Sequence, residues 1–287
     1  MSSRRRPSLR RARSQLIQSR LFIGDRARLV TERRMYGRLD ISVRSRVSIP
    51  IATYDRIDVL IERTIPSLLE QSHEDVEVII VGDGSDPRDF ARLSSVADPR
   101  LQTLLLPERT EYPEDPLERW MVAGWRPRNV GAGLASGGWL LWMSDDDVIM
   151  PTGLEKLLQV AAADPELDAV SGGYLAHTRP PTVVTPSTAT FHPFPVSGMP
   201  TLLARSFTRA FRWNGMSHLK DWDRPSDYDL VVRMHHAGIR FGATEEVVAI
   251  IPEVGDTGLI GSRAFAVEEQ RRADATRQGS PQSPSGA

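Results

Sequence analysis

Apolar residues between positions 47 and 174 form short continuous runs, and segments with helical periodicity separate these runs. Each run has the length and the apolar content of a strand that is buried on both faces. The runs are 47–52, 76–81, 101–106, 139–143 and 168–174. Strands that alternate with helices predict an α/β fold, in which a mostly parallel central sheet carries helices on both faces.

The pattern changes after residue 175. Residues 176–200 are rich in Pro, Thr and Ser and read as a long loop, and the next fifty residues mix a helix near 227–237 with short strands around 239–251. The C-terminal end is of low complexity, which is typical of a flexible tail. The predicted segments are an N-terminal arm at 1–46, a first α/β half at 47–175, a mixed second half at 176–265 and a flexible tail at 266–287.

The apolar run that ends at Met143 is followed, after one serine, by the aspartates Asp145, Asp146 and Asp147. In open α/β sheets ligands bind at the carboxyl ends of strands, and adjacent carboxylates are costly to bury without a compensating charge. A divalent cation removes that cost, and carboxylate oxygens suit Mg²⁺ or Mn²⁺. The D-x-D spacing occurs three times in the chain, so the spacing alone also fits a solvated acidic turn. The position at the end of a strand favours a metal site.

The composition excludes several kinds of chemistry. The chain has no cysteine, which excludes disulfides, thiolate metal sites and cysteine nucleophiles, and its six histidines show no zinc-ligand spacing. No apolar stretch approaches the length of about 18 residues that a membrane-spanning helix needs. The basic N-terminus lacks the apolar region of a secretory signal. This profile predicts a cytoplasmic protein.

Charge is distributed unevenly along the chain. Residues 1–46 contain fourteen arginines and three acids, a balance of +11, which leaves −12 for the rest of a chain whose net charge is −1. The first fourteen residues read as disordered, and 15–38 has the pattern of a short basic amphipathic helix. Such an arm can make a peripheral contact with an anionic membrane or polymer, or it can be a solvated tail with no partner. We expect no specific binding of nucleic acid.

Four segments resemble, in order and spacing, family 2 glycosyltransferases of the GT-A fold. They are V-S-I-P-I-A-T-Y-D-R at 47–56, S-L-L-E-Q-S-H-E-D-V-E-V-I-I-V-G-D-G-S-D at 67–86, R-N-V-G-A-G-L-A-S-G-G-W-L-L-W-M-S-D-D-D at 128–147 and S-D-Y-D-L-V-V-R-M-H-H-A-G at 226–238. The resemblance implies a GT-A-type nucleotide-binding fold, with a nucleotide-sugar half and a mixed C-terminal acceptor region. It also implies metal-dependent transfer of a sugar from a nucleoside diphosphate to an acceptor hydroxyl, with inversion.

The same resemblance implies roles for five residues of the first half. Thr53 would contact the nucleotide base through its backbone, and Tyr54 would stack on the base. Asp83 would accept from the imide N–H of the base, which favours a UDP- or dTDP-sugar because uracil and thymine carry that donor. Asp145 would approach the ribose, and Asp146 would be the ligand of Mn²⁺ or Mg²⁺.

In the second half the resemblance implies that Asp227 is the general base. The family has glutamate where this chain has Ser226, and an acid where it has Gly82, so contacts with the acceptor differ while Asp83 retains the base-binding position. Many members have a later histidine that helps to hold the metal. Here Glu253 and Asp256 are the candidates for that further ligand. The acceptor would be a saccharide, a lipid-linked molecule or a small molecule.

Two other functions stay open at this point. A sugar-1-phosphate nucleotidyltransferase also uses an α/β nucleotide fold with acidic metal ligands. It requires a glycine-rich loop with a basic residue after the first strand, and T-Y-D-R-I-D at 53–58 contains no glycine. A non-catalytic scaffold could bind a polyanion through the arginine-rich arm. Such a scaffold has no use for Asp83, Asp146 and Asp227, so their presence favours an enzyme.

Overall fold

The computed structural model describes residues 9–177, 180–188, 191, 193–220 and 225–252. In this part of the chain the strands are β1 (Val47–Thr53), β2 (Val76–Gly82), β3 (Leu101–Leu105), β4 (Trp139–Leu141), β5 (Met143–Ser144), β6 (Val148–Ile149), β7 (Ala169–Ala176), β8 (Thr182–Val184), β9 (Leu202–Arg205) and β10 (Phe241–Ile251). The α-helices are α1 (Leu9–Tyr36), α2 (Ile57–Val59), α3 (Ile65–Leu69), α4 (Pro87–Phe90), α5 (Pro116–Val122), α6 (Trp125–Leu134), α7 (Gly153–Ala163) and α8 (Ser226–His236).

One central sheet runs through the described residues, in the order β3-β2-β1-β4-β9-β7-β10-β6. Strands β3, β2, β1 and β4 are parallel, and β10 is parallel to β7. Strand β9 is antiparallel to both of its neighbours, β4 and β7. It comes from the second predicted half, so the sheet is continuous across the boundary expected at residue 175.

The two faces of the sheet are buried by different sets of side chains. Along β2, Val78 and Ile80 point into one hydrophobic core, whereas Ile79 and Val81 point into the other. This alternation follows from the pleat, in which successive side chains lie on opposite faces. The predicted α/β fold with helices on both faces is therefore confirmed, and the continuous apolar runs have their explanation in this double burial.

Strand β1 contains a proline that a central strand does not normally tolerate. The neighbouring strand is interrupted at Trp142, because β4 pairs with Val47 and Ser48 while β5 pairs with Ile51 and Ala52. The gap falls opposite Pro50, which has no N–H to donate to a ladder. The break in the partner strand thus coincides with the one position of β1 that cannot donate a ladder bond.

The helical pattern at 57–71 is realised in three pieces. Helix α2 leads into a π-helical turn at Leu60–Thr64, and α3 follows with Pro66 in its first turn. The ring of Pro66 would clash with the carbonyl of Glu62 in a regular α-helix, and the wider π turn avoids that contact. The turn brings Thr64 against the acids described below.

The N-terminal segment differs from its prediction. Instead of a short helix in a partly disordered arm, residues 9–36 form one helix of 28 residues. Its inner face packs on the second half of the fold: Leu29 is buried in the core, and Arg28 Nε donates to the carbonyl of Ala210 at 2.8 Å. The inner apolar positions were read as one side of a short basic amphipathic helix, and tertiary packing places them in the core. None of the described helices is both long and apolar enough to cross a bilayer.

Candidate functional site

Three of the predicted nucleotide-binding residues meet at the carboxyl edge of the sheet. Thr53 ends β1, Asp83 follows β2 and Asp145 follows β5. The backbone N–H of Asp83 donates to the carbonyl of Thr53 at 2.9 Å, and Thr53 Oγ1 donates to Asp145 Oδ2 at 2.8 Å. The parallel register of β1 with β2 and β5 produces this meeting, because their carboxyl ends lie side by side.

The Asp83 carboxylate is buried and holds the loop that follows β3. Its Oδ1 accepts from the backbone N–H of Thr110 at 3.0 Å and from Thr110 Oγ1 at 2.5 Å, and its Oδ2 accepts from the Tyr112 hydroxyl at 2.5 Å. Burial, together with this bond to Asp83, raises the pKa of Tyr112 to about 12. A carboxylate can accept about four hydrogen bonds, so these three donors leave its acceptor capacity unfilled. Sequence reasoning missed Thr110 and Tyr112.

Tyr54 lies at the rim of this edge and has a cation on its ring. Its side chain is exposed, and the guanidinium carbon of Arg109 lies 3.4 Å from the ring centroid. The loop can approach so closely because Gly84 has φ of +68° and a Cβ there would come within 2.3 Å of the Arg109 nitrogen. The turn after β2 therefore lets the Arg109 guanidinium lie against the Tyr54 ring.

Among the described residues, one arginine pairs with the carboxylates of the three consecutive aspartates. Arg56 Nη1 lies 3.2 Å from Asp145 Oδ1 and 2.8 Å from Asp146 Oδ2. Asp147 is buried, and its Oδ2 accepts from the backbone N–H of Ser144 at 2.9 Å. Burial raises the pKa of Asp145 to about 6, against the favourable charge of Arg56, and raises the pKa of Asp147 to about 7. The cluster has less positive charge than its carboxylates require.

The turn that carries these acids is fixed from the interrupted helix. Thr64 Oγ1 donates to the carbonyl of Asp145 at 3.0 Å, and Arg63 Nη2 donates to the carbonyl of Asp146 at 3.0 Å. Both donors stand in the π-helical turn. The sequence indicated neither contact, since each joins positions more than eighty residues apart.

The residues present fit a divalent cation at Asp146. Its side chain is partly accessible, and its carboxylate belongs to a cluster that lacks positive charge. In the described residues there is no group of three or more His, Cys, Asp or Glu side chains ready to hold a metal. Magnesium is commonly bound through one or two carboxylates together with substrate phosphates, so a protein cage is not required. Glu253 and Asp256, the candidates for a further ligand, lie outside the described residues.

Asp227 stands in the first turn of α8, and its Oδ1 accepts from the backbone N–H of Tyr228 at 2.7 Å. A chain of contacts joins this turn to the strand that carries the acids. Asn214 bonds the α8 residue Asp229, and the ring of the preceding Trp213 lies edge-on to Trp142 with 5.6 Å between centroids. Asp227 thus belongs to a different element from the bonded group around Asp145.

Asp229, two residues further on, is part of a buried charge network. Its Oδ2 lies 3.0 Å from Arg233 Nε, its Oδ1 pairs with Lys220, and Arg233 Nη1 lies 2.7 Å from Asp25 Oδ2 on α1. All four side chains are almost completely buried. The network ties α8 to α1, and its local signal is the spacing of four residues between Asp229 and Arg233.

Comparison with known proteins supports a family assignment. Residues 48–113, from β1 to the loop that binds Asp83, match the sequence model described as glycosyl transferase family 2. The chain is 30% identical over 117 residues to the succinoglycan biosynthesis protein ExoO of Rhizobium meliloti, and 32% identical over 125 residues to an uncharacterized glycosyltransferase of Haemophilus influenzae. Residues 48–113 are thus similar to family 2 glycosyltransferases. The resemblance drawn from the four motifs is confirmed.

The match to these relatives is partial, and solved structures extend the likeness in fold. It covers 41% and 43% of this chain, but 30% and 37% of the two relatives. S. aureus TarS in complex with UDP-GlcNAc aligns with TM-score 0.59 at 16% identity, over 76% of this chain and 60% of that one. The mannosyltransferase PcManGT of Pyrobaculum calidifontis, in complex with GDP-Man and Mn²⁺, aligns with TM-score 0.53 at 18% identity, over 96% and 78%. The shared fold of the family 2 domain is GT-A.

Proposed function

We propose that this protein transfers a sugar from a UDP- or dTDP-sugar to an acceptor hydroxyl, with inversion and with Mn²⁺ or Mg²⁺. The observation that carries the proposal is that Asp83 and Asp145–Asp147 lie at one edge of the sheet. The carboxylate of Asp83 can accept a further hydrogen bond, and the carboxylates of Asp145–Asp147 have fewer cations in contact than they have charges. Two structural neighbours support it, since TarS is in complex with UDP-GlcNAc and PcManGT is in complex with GDP-Man and Mn²⁺.

Donor selection would rest on the remaining acceptor position of Asp83. The N3–H of uracil or thymine can donate to it, while Tyr54 supplies a ring on which the base stacks and Thr53 a backbone contact. A base that has an acceptor in place of that N–H would set its lone pair against the carboxylate and leave one acceptor position unfilled, so it should bind poorly. The hydrogen bonds from Thr110 and Tyr112 hold the carboxylate in place before the base arrives.

The diphosphate would bind beside the consecutive aspartates. Asp146 would hold the cation, with Glu253 or Asp256 as the candidates for a further ligand, and Asp145 would contact the ribose. When bound, the cation neutralises the charge that develops on the departing diphosphate. Arg56 would keep the acids partly neutralised before the donor binds, because its guanidinium bridges Asp145 and Asp146.

The acceptor hydroxyl would lose its proton to Asp227. A single carboxylate is sufficient, since one direct attack of the hydroxyl oxygen on the anomeric carbon inverts that centre and releases the nucleoside diphosphate. The first turn of α8 is held by the buried network behind it, so the carboxylate of Asp227 starts from a fixed backbone. The acceptor would be a saccharide, a lipid-linked molecule or a small molecule.

Calorimetry with UDP, dTDP and CDP, each with and without Mn²⁺, tests the proposal, because cytosine has an acceptor where uracil and thymine have the N3–H donor. We expect UDP or dTDP to bind in a Mn²⁺-dependent manner and CDP to bind at least about tenfold more weakly. The variant Asp83→Asn should lose this preference, because an amide can present a donor as well as an acceptor. Equal affinity for CDP in the wild-type protein would contradict the role of Asp83.

A donor panel then separates the enzyme classes. Slow hydrolysis of one nucleotide sugar, with release of nucleoside diphosphate, is expected of a glycosyltransferase without its acceptor. A nucleotidyltransferase would instead release pyrophosphate from a nucleoside triphosphate and a sugar 1-phosphate. A protein that binds none of these nucleotides would be the polyanion-binding scaffold.

A further inference from the structure

The outer face of α1 carries a regular stripe of exposed apolar side chains. Leu9, Leu16, Ile23 and Val30 are 91%, 54%, 73% and 54% exposed. They are spaced by seven residues, which is close to two helical turns, so they form one line along the helix. We call these four residues the outer stripe. A helix that already buries its other side against the core does not need a second apolar line for folding.

Arginines border the outer stripe on both sides. Arg13, Arg20 and Arg34 follow stripe residues by four positions, and Arg26 follows Ile23 by three, so they flank it; all four are exposed. The two acids of α1 lie elsewhere. Asp25 is buried against Arg233, and Glu32 pairs with Arg209 at 3.4 Å. The outward face is therefore apolar in the middle and basic at its edges.

The helix that presents this face is held firmly by its inner side. Asp25 pairs with the buried Arg233, and Arg205 Nη1 donates to the Tyr36 hydroxyl at 2.8 Å. Leu29 is buried in the core that also contains Phe207. Nearer the N-terminus Ile17 is buried, and Gln18 Oε1 accepts from Lys220 Nζ at 2.6 Å. These contacts run from position 17 to position 36, so this part of the outer stripe has a fixed orientation relative to the sheet.

An open cleft adjoins the middle of the stripe. It has a volume of about 250 Å³, and Ile23 and Arg26 belong both to its lining and to the outer face. Its other lining residues are Phe22, Asp25, His236 and Ala237. The cleft thus combines an apolar wall with basic groups at its edge, next to a surface of the same character.

We propose that the outer stripe of α1 lies on an anionic lipid bilayer, with its apolar side chains among the headgroups and its arginines against lipid phosphates. An apolar line with basic flanks on a surface helix is the pattern of an interfacial helix. A second copy of the chain is a poorer occupant, because stripe-to-stripe packing would bring two sets of arginines together. The proposal concerns attachment and is independent of the transfer reaction.

The absence of cysteine allows a direct test on the full-length protein. Ser19→Cys places a single thiol beside the stripe, and Ser94→Cys places one at an exposed site on the first half of the fold. Each variant is labelled with acrylodan and mixed with phosphatidylcholine vesicles that contain or lack phosphatidylglycerol. We expect a blue shift for the label at position 19 with the anionic vesicles only, a loss of that shift at high salt, and no shift at position 94.

Substitutions then identify the groups responsible. In vesicle sedimentation, Arg20→Gln with Arg26→Gln should weaken binding about 25-fold, at about fivefold for each arginine. Leu16→Gln with Ile23→Gln should weaken it at least about tenfold. The matched controls Arg88→Gln and Leu134→Gln alter exposed residues elsewhere and should bind as wild type.

Three results would overturn the proposal. They are wild-type protein that ignores anionic vesicles at low salt, equal binding to neutral and anionic vesicles, and unchanged binding by the Leu16→Gln, Ile23→Gln variant. Size-exclusion chromatography supplies a further check. A dimer that this double variant dissociates would make a second copy of the chain the occupant of the stripe and would likewise overturn it.

Discussion

Two regions of this molecule share the D-x-D spacing but differ in charge balance. At the sheet edge, Asp145–Asp147 has Arg56 as its contacting cation, and burial raises the pKa of two of its acids. In the interior, Asp229 lies between Lys220 and Arg233, and the second of these also pairs with an acid of α1. The four buried side chains of the interior network carry two positive and two negative charges, and the half-exposed Arg28 is a further partner of Asp25. The edge cluster has fewer contacting cations than carboxylates.

This difference separates a binding site from a structural clamp. Buried carboxylates that are paired one to one with cations are satisfied and hold elements together. Carboxylates that are short of cations at an accessible edge cost stability, and they favour a ligand that supplies positive charge. Both regions have the D-x-D spacing, so the spacing does not tell them apart. The balance of charges around the carboxylates does.

The largest effect should come from the edge. Asp146→Ala removes the carboxylate proposed to hold the cation, so Mn²⁺-dependent binding of UDP or dTDP should disappear while the melting curve stays close to wild type. Calorimetry with and without Mn²⁺ measures the first and circular dichroism the second. The control is Glu166→Ala, an exposed acid on the loop after α7, which should leave both unchanged. If Asp146→Ala still binds UDP or dTDP in a Mn²⁺-dependent manner, the edge cluster is not the cation site, and charge balance does not distinguish a binding site from a structural network.

Asp227 belongs to the same D-x-D motif as the interior residue Asp229, but it is proposed to act on the acceptor. The variant Asp227→Asn tests this proposed role. Donor affinity should stay near normal, and turnover should fall by about 10² to 10⁴, the usual contribution of a positioned general base. Steady-state kinetics and donor calorimetry give these two values. NMR of the wild-type product should show the anomeric configuration opposite to that of the donor. A retained configuration, or near-normal turnover of the variant, would contradict the role of Asp227.

Arg233→Met tests the clamp. It leaves Asp25 and Asp229 buried without the guanidinium between them, and the loss of one partner from a buried ion pair costs about 3–5 kcal/mol. The free energy of unfolding in urea should fall by that amount. At low temperature the remaining folded protein should bind nucleotide with unchanged metal dependence. A loss below about 1 kcal/mol would show that the network is not structural.

The smallest effect is expected at an exposed pair of the same chemical type. Arg92 and Asp58 form an ion pair in which both side chains are at least half exposed. Solvent screens such pairs, so Asp58→Asn should leave the urea midpoint close to that of wild type. This variant is the reference for Arg233→Met. A comparable loss of stability in both would mean that burial does not explain the difference between them.

The strands were predictable because burial on both faces produces a continuous run of apolar residues in the sequence. A strand covered on both faces is apolar at every position, and the run 76–81 was accordingly found as β2 (Val76–Gly82). The order of elements then placed Thr53, Asp83 and Asp145 at the carboxyl edge, where the structure finds them bonded together. The roles assigned to these residues remain predictions.

Local patterns were less informative where distant partners compete. Thr152 and Glu155 have the spacing of a capping box, yet Thr152 makes no side-chain cap bond, and Glu155 accepts from Ser72 instead. The donors to Asp83, Thr110 and Tyr112, come from a loop more than 25 residues away. Such partners depend on how segments pack, which spacing along the chain does not encode.

Helix α1 shows most clearly where local information ends. Its arginines, its helical period and its apolar positions are all readable from residues 9–36, and they predicted a basic amphipathic helix. Which apolar line would be buried was not readable, because two lines of similar character run along the helix. Packing decided it: Asp25 found Arg233 and Leu29 entered the core, which turned Leu16 and Ile23 outward. Helical periodicity is a local property, whereas the choice of the buried face depends on the surface that the rest of the fold presents.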